Sequence, residues 1–186
     1  MISKLTIEKI ETIILVGAKT PPPFHIHLAN RKGQEIAQAL NANKEVVILG
    51  TLLMDCALWE ALQQGKLERH VDMSLEKAKE ILSQFSEITE MEKENIFHCI
   101  SEHHGLVKFY SIESETVCNA DCYRFASVEG TIGGMKEFRE MKLNELINLW
   151  LEKANEKWNA LSLDICKKEL EPQYYAIKQF LGNYKN

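Results

Sequence analysis

The chain has 186 residues, of which 45% are hydrophobic and 26% are charged, and its formal net charge is −5. Such a chain is long enough for a hydrophobic core and short enough to form one domain. The acidic balance argues against a nucleic-acid polymer as the partner, because binding a phosphate backbone requires a clustered excess of Lys and Arg. An acidic protein can still contain a local phosphate pocket, so a small phosphorylated molecule stays compatible with this charge.

The N-terminal region has one short apolar run, from Ile13 to Val16. This run is too short for the hydrophobic part of a signal peptide or for a membrane span. We therefore expect a cytoplasmic protein that does not bind membranes.

Five cysteines are scattered along the chain, and four of them lie in apolar segments with helical periodicity. Their odd number and irregular spacing do not indicate a disulfide framework. A thiolate zinc site is also disfavoured, because there is no C-x-x-C pair and the cysteines occupy positions suited to small apolar residues. We expect reduced, buried thiols at Cys56, Cys99, Cys118, Cys122 and Cys166.

Two helices are predicted in the first third of the chain. The first begins near Phe24, directly after the prolines at 21–23, and extends to Leu40. The next segment, Glu45–Leu53, is apolar enough for a buried strand. Its apolar pattern continues with helical spacing to Leu62, so we interpret it as a helix.

Two further helices are predicted in the middle of the chain. Asp72 or Ser74 can cap a helix that extends to about Leu82. Thr89 and Glu92 have the spacing of a capping box, in which each side chain accepts a hydrogen bond from the other residue's backbone. They predict the start of a separate helix.

The second half of the chain is also predicted to be helical. A helix should cover about Ile112–Ala126, and an amphipathic helix should cover Leu143–Leu161. Between them, the glycine cluster Gly130–Gly134 indicates a loop. The last amphipathic stretch is expected to be interrupted at Pro172, an acceptable first position of a helix. Strand signals are scarce, which favours an all-α protein.

Histidines and aspartates with the chemistry of metal ligands follow one another along these predicted helices. Imidazole nitrogen and carboxylate oxygen suit borderline-to-hard divalent ions such as Zn, Mn, Fe, Co, Ni and Mg. A helical bundle can bring such side chains from separate helices together in its core. Each residue alone also fits a structural role, so the order along the chain is the stronger signal. The candidate ligands are His25, Asp55, His70, His103 and Asp121.

The local sequences around these candidates strengthen that signal. The segments are HIHLANRKGQEIA with His25, LGTLLMDCALW with Asp55, RHVDMSLEKAKEIL with His70 and Ser74, IFHCISEHHG with His103, and ETVCNADCYRF with Asp121. In this order they resemble the motifs of the HD-domain superfamily, whose members are all-helical, metal-dependent phosphohydrolases. That family has a histidine that opens a helix, a His-Asp doublet, one or two further histidines and a final aspartate.

The resemblance implies an all-α, HD-domain-like helical bundle that forms a single domain over residues 1–186. Its motif-bearing core would cover about residues 20–130, with helices at about 140–182 packing on it. It also implies one or two divalent ions, with Asp55 as the catalytic residue that orients a water or bridges two ions. In members with two ions, the first uses the positions of His25, Met54, Asp55 and Asp121, and the second shares Asp55 and uses His70 and His103.

Met54 stands where the family has the histidine of the doublet. Because a thioether is a weak ligand for these ions, the first ion should be weakened while the ligands of the second are intact. His27 and His104 are candidate substitutes, although neighbouring helical residues point about 100° apart. The choice between His25 and His27, and between His103 and His104, stays open. Met54→His is expected to raise metal affinity.

A phosphorylated substrate would also need Arg or Lys at the rim of the site. The resemblance implies a phosphohydrolase acting on a nucleotide or another small phosphorylated metabolite. The alternative is a catalytically impaired HD-like domain that binds a phosphorylated ligand or a protein partner, and a homo-oligomer is open for either. The available cations near the motif segments, each of which also fits an ordinary surface charge, are Arg31, Lys32, Lys108 and Arg124.

Overall fold

The computed structural model describes residues 2–17 and 21–184. Within these residues the regular structure is helical and contains no β-strand, which confirms the predicted all-α class. No helix in this part of the chain combines the length and the apolar character needed to cross a membrane. The helices are α1 (Lys4–Gly17), α2 (Pro23–Leu40), α3 (Lys44–Leu53), α4 (Leu58–Gln63), α5 (His70–Ser83), α6 (Glu90–Ser101), α7 (Ile112–Ala126), α8 (Val128–Glu137), α9 (Leu143–Ala160) and α10 (Asp164–Tyr184).

The central element is α7, which packs against α2, α3, α6, α8, α9 and α10. Its bounds agree with the predicted helix over residues 112–126. Most of its residues are buried, among them Asp121 and Arg124. Charged side chains in such positions need oppositely charged partners, because burial of an unpaired charge is costly.

The apolar segment after residue 44 forms α3, as its helical periodicity predicts, but the expected continuation to Leu62 is interrupted by a turn at residues 54–57 before α4. Gly50 lets α3 approach α6 and α7 closely. A Cβ at this position would lie 2.7 Å from the Cβ of Cys99 and 2.9 Å from a methyl group of Val117. This close packing places the turn that follows α3, which contains Asp55, inside the bundle.

The starts of α5 and α6 differ in how well the sequence predicts them. Thr89 and Glu92 form the expected capping box of α6. By contrast, α5 begins at His70, because a short 3-10 turn leads directly into it. Asp72 and Ser74 therefore lie inside α5, and the prediction that one of them caps this helix is wrong.

The glycine cluster forms α8, so the predicted loop at this place is wrong. A Cβ at Gly130 would lie 2.2 Å from the carbonyl oxygen of Tyr123, and one at Gly134 would lie 2.5 Å from His25 Nε2. These glycines therefore serve close packing of α8 against α7 and α2 rather than a turn. Helical spacing of small residues at a packed face looks like a loop signal when composition alone is considered.

The predicted break at Pro172 is also wrong, because α10 continues through this residue. A proline inside a helix removes one backbone hydrogen bond. The neighbouring side chains of Leu170 and Tyr174 are buried, and the Tyr174 ring stacks on Trp158 of α9 with centroids 4.6 Å apart. Packing of α10 against α9 and α7 offsets the lost bond.

Candidate metal centre

Asp55 lies in a tight turn between α3 and α4, and this turn is attached to α5. The N–H of Ala57 donates to Ser74 Oγ at 3.1 Å, and Ser74 is completely buried. The Asp55 side chain is 8% exposed, so its carboxylate faces the interior of the bundle. The two oxygens of this carboxylate have different partners, and they divide the centre into two halves.

The first oxygen, Asp55 Oδ1, faces two histidines. His70 Nε2 lies 3.7 Å from it and His103 Nε2 lies 3.6 Å from it. Each ring donates its Nδ1–H to a backbone carbonyl at 2.7 Å, His70 to Leu67 and His103 to Ile100. A carbonyl can only accept, so Nδ1 carries a proton in both rings and Nε2 is the atom of each ring that can bind a metal ion.

A third histidine, His104, lies at the open side of this group. Its Nε2 is 3.0 Å from His70 Nε2, and its Nδ1 is 3.3 Å from both Lys157 Nζ and Glu156 Oε1. The donor nitrogens of the three histidines lie within 4.8 Å of one another. We call Asp55 Oδ1, His70, His103 and His104 the histidine half of the centre.

The second oxygen of Asp55 binds an arginine instead. Arg124 Nη1 donates to Asp55 Oδ2 at 2.6 Å and to Asp121 Oδ1 at 2.7 Å. The other oxygen of Asp121 lies 2.6 Å from Lys157 Nζ on α9. All four side chains are buried, and their two negative and two positive charges balance. We call Asp55 Oδ2, Asp121, Arg124 and Lys157 the arginine half.

The cations control the ionisation of both carboxyl groups. Burial raises the pKa of Asp55, but the charge of Arg124 and the contact with His103 outweigh burial and hold this pKa well below its usual range. Burial likewise raises the pKa of Asp121, and Lys157 and Arg124 together overcome it. Both aspartates are therefore carboxylates at neutral pH.

His25 lies in an apolar site rather than among charges. Its ring packs edge-on against Phe125 and near Trp150, with centroids 5.2 and 6.1 Å away. Its Nε2 lies 3.4 Å from the carbonyl oxygen of Gly130, to which a neutral ring donates a weak hydrogen bond. Burial and, to a lesser extent, the nearby charge of Arg124 lower the pKa of His25 to about 3. The histidine therefore stays neutral at physiological pH.

Met54 is part of the hydrophobic core and borders a cavity. Its side chain is 1% exposed, and it lines a cavity of about 70 Å³ together with Asp55 and Arg124. Trp59 and Lys77 contribute to the same cavity wall. The cavity is large enough for several water molecules. It borders the arginine half of the centre rather than the histidine half.

Of the four cations predicted to bind phosphate, Arg124 is the one found in this centre. Arg31 is half exposed and pairs with Glu129 at 2.6 Å. Lys32 pairs with Glu169 at 2.8 Å, and Lys108 is exposed. The surroundings of Arg31 and Lys32 are those of surface ion pairs.

Comparison with solved structures identifies the architecture. A predicted HD superfamily hydrolase from an uncultured Thermotogales bacterium is 15% identical, with a TM-score of 0.66 over 97% of this chain and 90% of that one. The chain has the fold of HD-superfamily hydrolases. An HD-superfamily hydrolase from Bacillus thuringiensis is 18% identical, with a TM-score of 0.64 over 97% of this chain and 93% of that one. Bacillus subtilis YpgQ is 14% identical, with a TM-score of 0.68 over 97% and 94%.

The sequence comparisons add nothing to this likeness. No protein-family model matches the sequence, and no curated protein matches it. The HD fold is therefore shown by the three-dimensional architecture, and the site has to be judged from its own residues.

The residues present at the position of the first ion do not fit a metal. Arg124 already binds one oxygen of Asp55 and one of Asp121, and Lys157 binds the remaining oxygen of Asp121. Met54 offers a weak thioether ligand, and His25 directs Nε2 at a backbone carbonyl. The predicted ligands His25 and Asp121 therefore lie in surroundings that do not suit this role.

The histidine half fits one divalent ion. Ligand atoms bound to a tetrahedral ion at about 2.0–2.2 Å lie roughly 3.3 to 3.6 Å apart. The distances from Asp55 Oδ1 to His70 Nε2 and His103 Nε2 are 3.7 and 3.6 Å. Two imidazoles with fixed tautomers and one carboxylate oxygen are the donor set that such an ion requires.

Sequence reasoning missed Lys157, although a signal for it exists. Trp150, Ala154 and Lys157 follow one another at helical spacing, and the first two are completely buried. A lysine on the apolar face of an amphipathic helix needs a buried acidic partner. Only the tertiary structure identifies that partner as Asp121.

Proposed function

We propose that this protein is a metal-dependent phosphohydrolase that uses one divalent ion and acts on a nucleotide or another small phosphorylated metabolite. The ion would be held by Asp55, His70 and His103. The observation that carries this proposal is the pair of fixed imidazoles facing Asp55 Oδ1. The likeness to HD-superfamily hydrolases supports a hydrolase as the general class. A cytoplasmic location and a possible homo-oligomer stay predictions.

The side chains of the centre have different roles in the proposed reaction. An ion held by Asp55, His70 and His103 would lower the pKa of a water nucleophile and offset negative charge on a phosphoryl oxygen. Asp55 is held by Arg124 through Oδ2, so Oδ1 keeps its direction toward the two histidines. His104 lies at the exposed side of the histidine half, beside His70, where its ring can contact a bound phosphate oxygen. Hydrolysis in this scheme depends on Asp55 as the orienting residue.

The cavity beside Arg124, with a volume of about 70 Å³, suits a small part of the substrate. Arg124 lines it, and the Nε of this residue has no hydrogen-bond partner in the part of the chain that the structure describes. Lys77 lies in the same wall and pairs with Glu60. Trp59, also in the wall, offers an apolar surface to a small group of the substrate. A substrate with a phosphate and a small apolar group beside it matches these residues.

A second function is supported by the arginine half. A domain that retains one ion and binds a phosphorylated ligand without hydrolysing it would also need Asp55, His70 and His103. Position 54 is a methionine rather than a histidine, and Lys157 pairs with Asp121. Both observations favour a binding domain with one ion over a hydrolase with two ions.

The test combines metal analysis with activity. Protein purified without chelator is loaded with Mn, Co, Ni, Zn or Mg, and phosphate release is measured over nucleotides and sugar phosphates. We expect one bound ion, hydrolysis of at least one substrate, and loss of both in His103→Ala. His27→Ala removes an exposed histidine and should keep both. Failure to bind any ion would contradict the proposal, and an ion with ligand-induced stabilisation but no hydrolysis would favour the binding domain.

A further inference from the structure

We propose that Arg124 is a built-in cation that takes the place of a metal ion between Asp55 and Asp121, so that the centre accepts one ion and excludes a second. The inference rests on the proposed function only for the ion of the histidine half. It predicts a property of the protein, the number of ions bound, that does not depend on turnover.

The distances place the guanidinium where a bridging ion would lie. Arg124 Nη1 is 2.6 Å from Asp55 Oδ2 and 2.7 Å from Asp121 Oδ1. An ion that bridged the same two oxygens would lie about 2.0–2.2 Å from each of them. The nitrogen and the ion cannot occupy this space together.

The arginine is held there by the fold. Arg124 lies one turn after Asp121 on the same helix, and its side chain is 6% exposed. A guanidinium stays protonated throughout the pH range in which proteins are folded, so it cannot leave by losing its charge. The exclusion therefore acts at every pH at which the protein functions.

Lys157 is the second cation of the arginine half. It reaches Asp121 Oδ2 from α9 at 2.6 Å and is 4% exposed. Three of the four oxygens of the two carboxylates are thus bound to side-chain cations. The fourth, Asp55 Oδ1, is the one that faces His70 and His103.

The neighbouring residues agree with this division. Met54 packs in the core, and His25 lies among aromatic rings with Nε2 directed at Gly130. Neither the Met54 side chain nor the His25 side chain requires a bound ion in these surroundings. Positive charge in the arginine half is therefore supplied by the polypeptide, and this half should form in metal-free protein.

The test counts ions in Arg124→Gln. Native mass spectrometry and elemental analysis are run on wild type and variant after loading with Mn²⁺ or Zn²⁺, and Tm is recorded with ion and with EDTA. We expect one ion in wild type, two in R124Q, and a larger rise of Tm on metal addition in the variant. Met54→His combined with R124Q should bind the second ion more tightly. Arg31→Gln, an exposed arginine with the same charge change, should behave as wild type.

The outcomes separate this inference from the proposed function. Two ions in wild type, or no additional ion in R124Q and in the double variant, would overturn the inference. If wild type binds no ion and the double variant binds one between Asp55 and Asp121, the exclusion of an ion by Arg124 stands and the proposed hydrolase fails. If R124Q does not fold without metal, recovery of its folded state on adding Mn²⁺ supports the inference. Two ions bound to wild type would still overturn the inference.

Discussion

The two halves of the centre share Asp55 but obtain positive charge in different ways. In the histidine half, two imidazoles face one carboxylate oxygen, an arrangement that suits an added cation. In the arginine half, Arg124 and Lys157 satisfy the carboxylates directly. In this fold, side-chain cations therefore bind three of the four carboxylate oxygens of Asp55 and Asp121. The predictions below test this difference, beginning with the largest effect.

The largest effect is expected when the arginine half loses Lys157. Lys157→Met leaves Asp121 Oδ2 buried without its partner, and removing one member of a buried pair costs about 3–5 kcal/mol. Urea unfolding in EDTA measures this loss. Lys153→Met, on the same helix but one-third exposed, should change stability by less than about 1 kcal/mol. Equal stability of the two variants would show that Asp121 does not depend on Lys157.

The second prediction concerns the pH dependence of stability near the arginine half. The pKa of His25 is about 3 in the folded protein and 6.5 when unperturbed, so protonation favours the unfolded chain. Its contribution to stability is present above pH 6.5 and is lost as the pH falls toward 3. By pH 5 the loss should be roughly 2 kcal/mol.

The matched comparison isolates this histidine. His25→Gln cannot be protonated and should have a smaller decrease of stability between pH 7 and pH 5 than wild type. His27→Gln changes an exposed histidine on the same helix and should keep the wild-type decrease. Parallel pH profiles for wild type and His25→Gln would contradict the buried, neutral state of His25.

The third prediction tests how the histidine half is positioned. Ser74→Ala removes the acceptor of the Ala57 N–H and should cost about 1–2 kcal/mol, because a buried donor is left without a partner. It should also weaken metal binding, since the turn that carries Asp55 loosens. Ser83→Ala, at the exposed end of the same helix, is the control. Unchanged metal affinity in Ser74→Ala would show that α5 does not position Asp55.

The smallest effect is expected for Met54→His alone. The sequence predicts that this change raises metal affinity, whereas the structure indicates that Arg124 still occupies the space between the carboxylates. The number of bound ions should stay at one, as measured by native mass spectrometry. A second ion in the single variant would show that Arg124 gives way to a metal.

Local patterns predicted much of the fold. The bounds of α7 and the capping box at Thr89 and Glu92 depend on residues close in sequence, and both agree with the structure. The glycines of α8 were misleading, because their role lies in contacts with Tyr123 and His25 on other helices. Composition alone does not distinguish a flexible loop from a closely packed helix.

The contacts within the centre are also difficult to predict from the sequence alone. The spacing of Asp121 and Arg124 is local and visible in the sequence. The contact of Arg124 with Asp55 joins residues 69 positions apart, and only the packing of α3 against α7 creates it. Arg124 was predicted as a phosphate contact, and whether it also binds substrate stays a prediction.

The most direct test of the central claim is anomalous diffraction from crystals grown with Mn²⁺ or Zn²⁺. The account predicts one anomalous peak, about 2.0–2.2 Å from His70 Nε2 and His103 Nε2 and beside Asp55 Oδ1. It predicts no peak between Asp55 and Asp121, where Arg124 lies. A peak between these two carboxylates, or no peak at the histidines in fully loaded crystals, would contradict it.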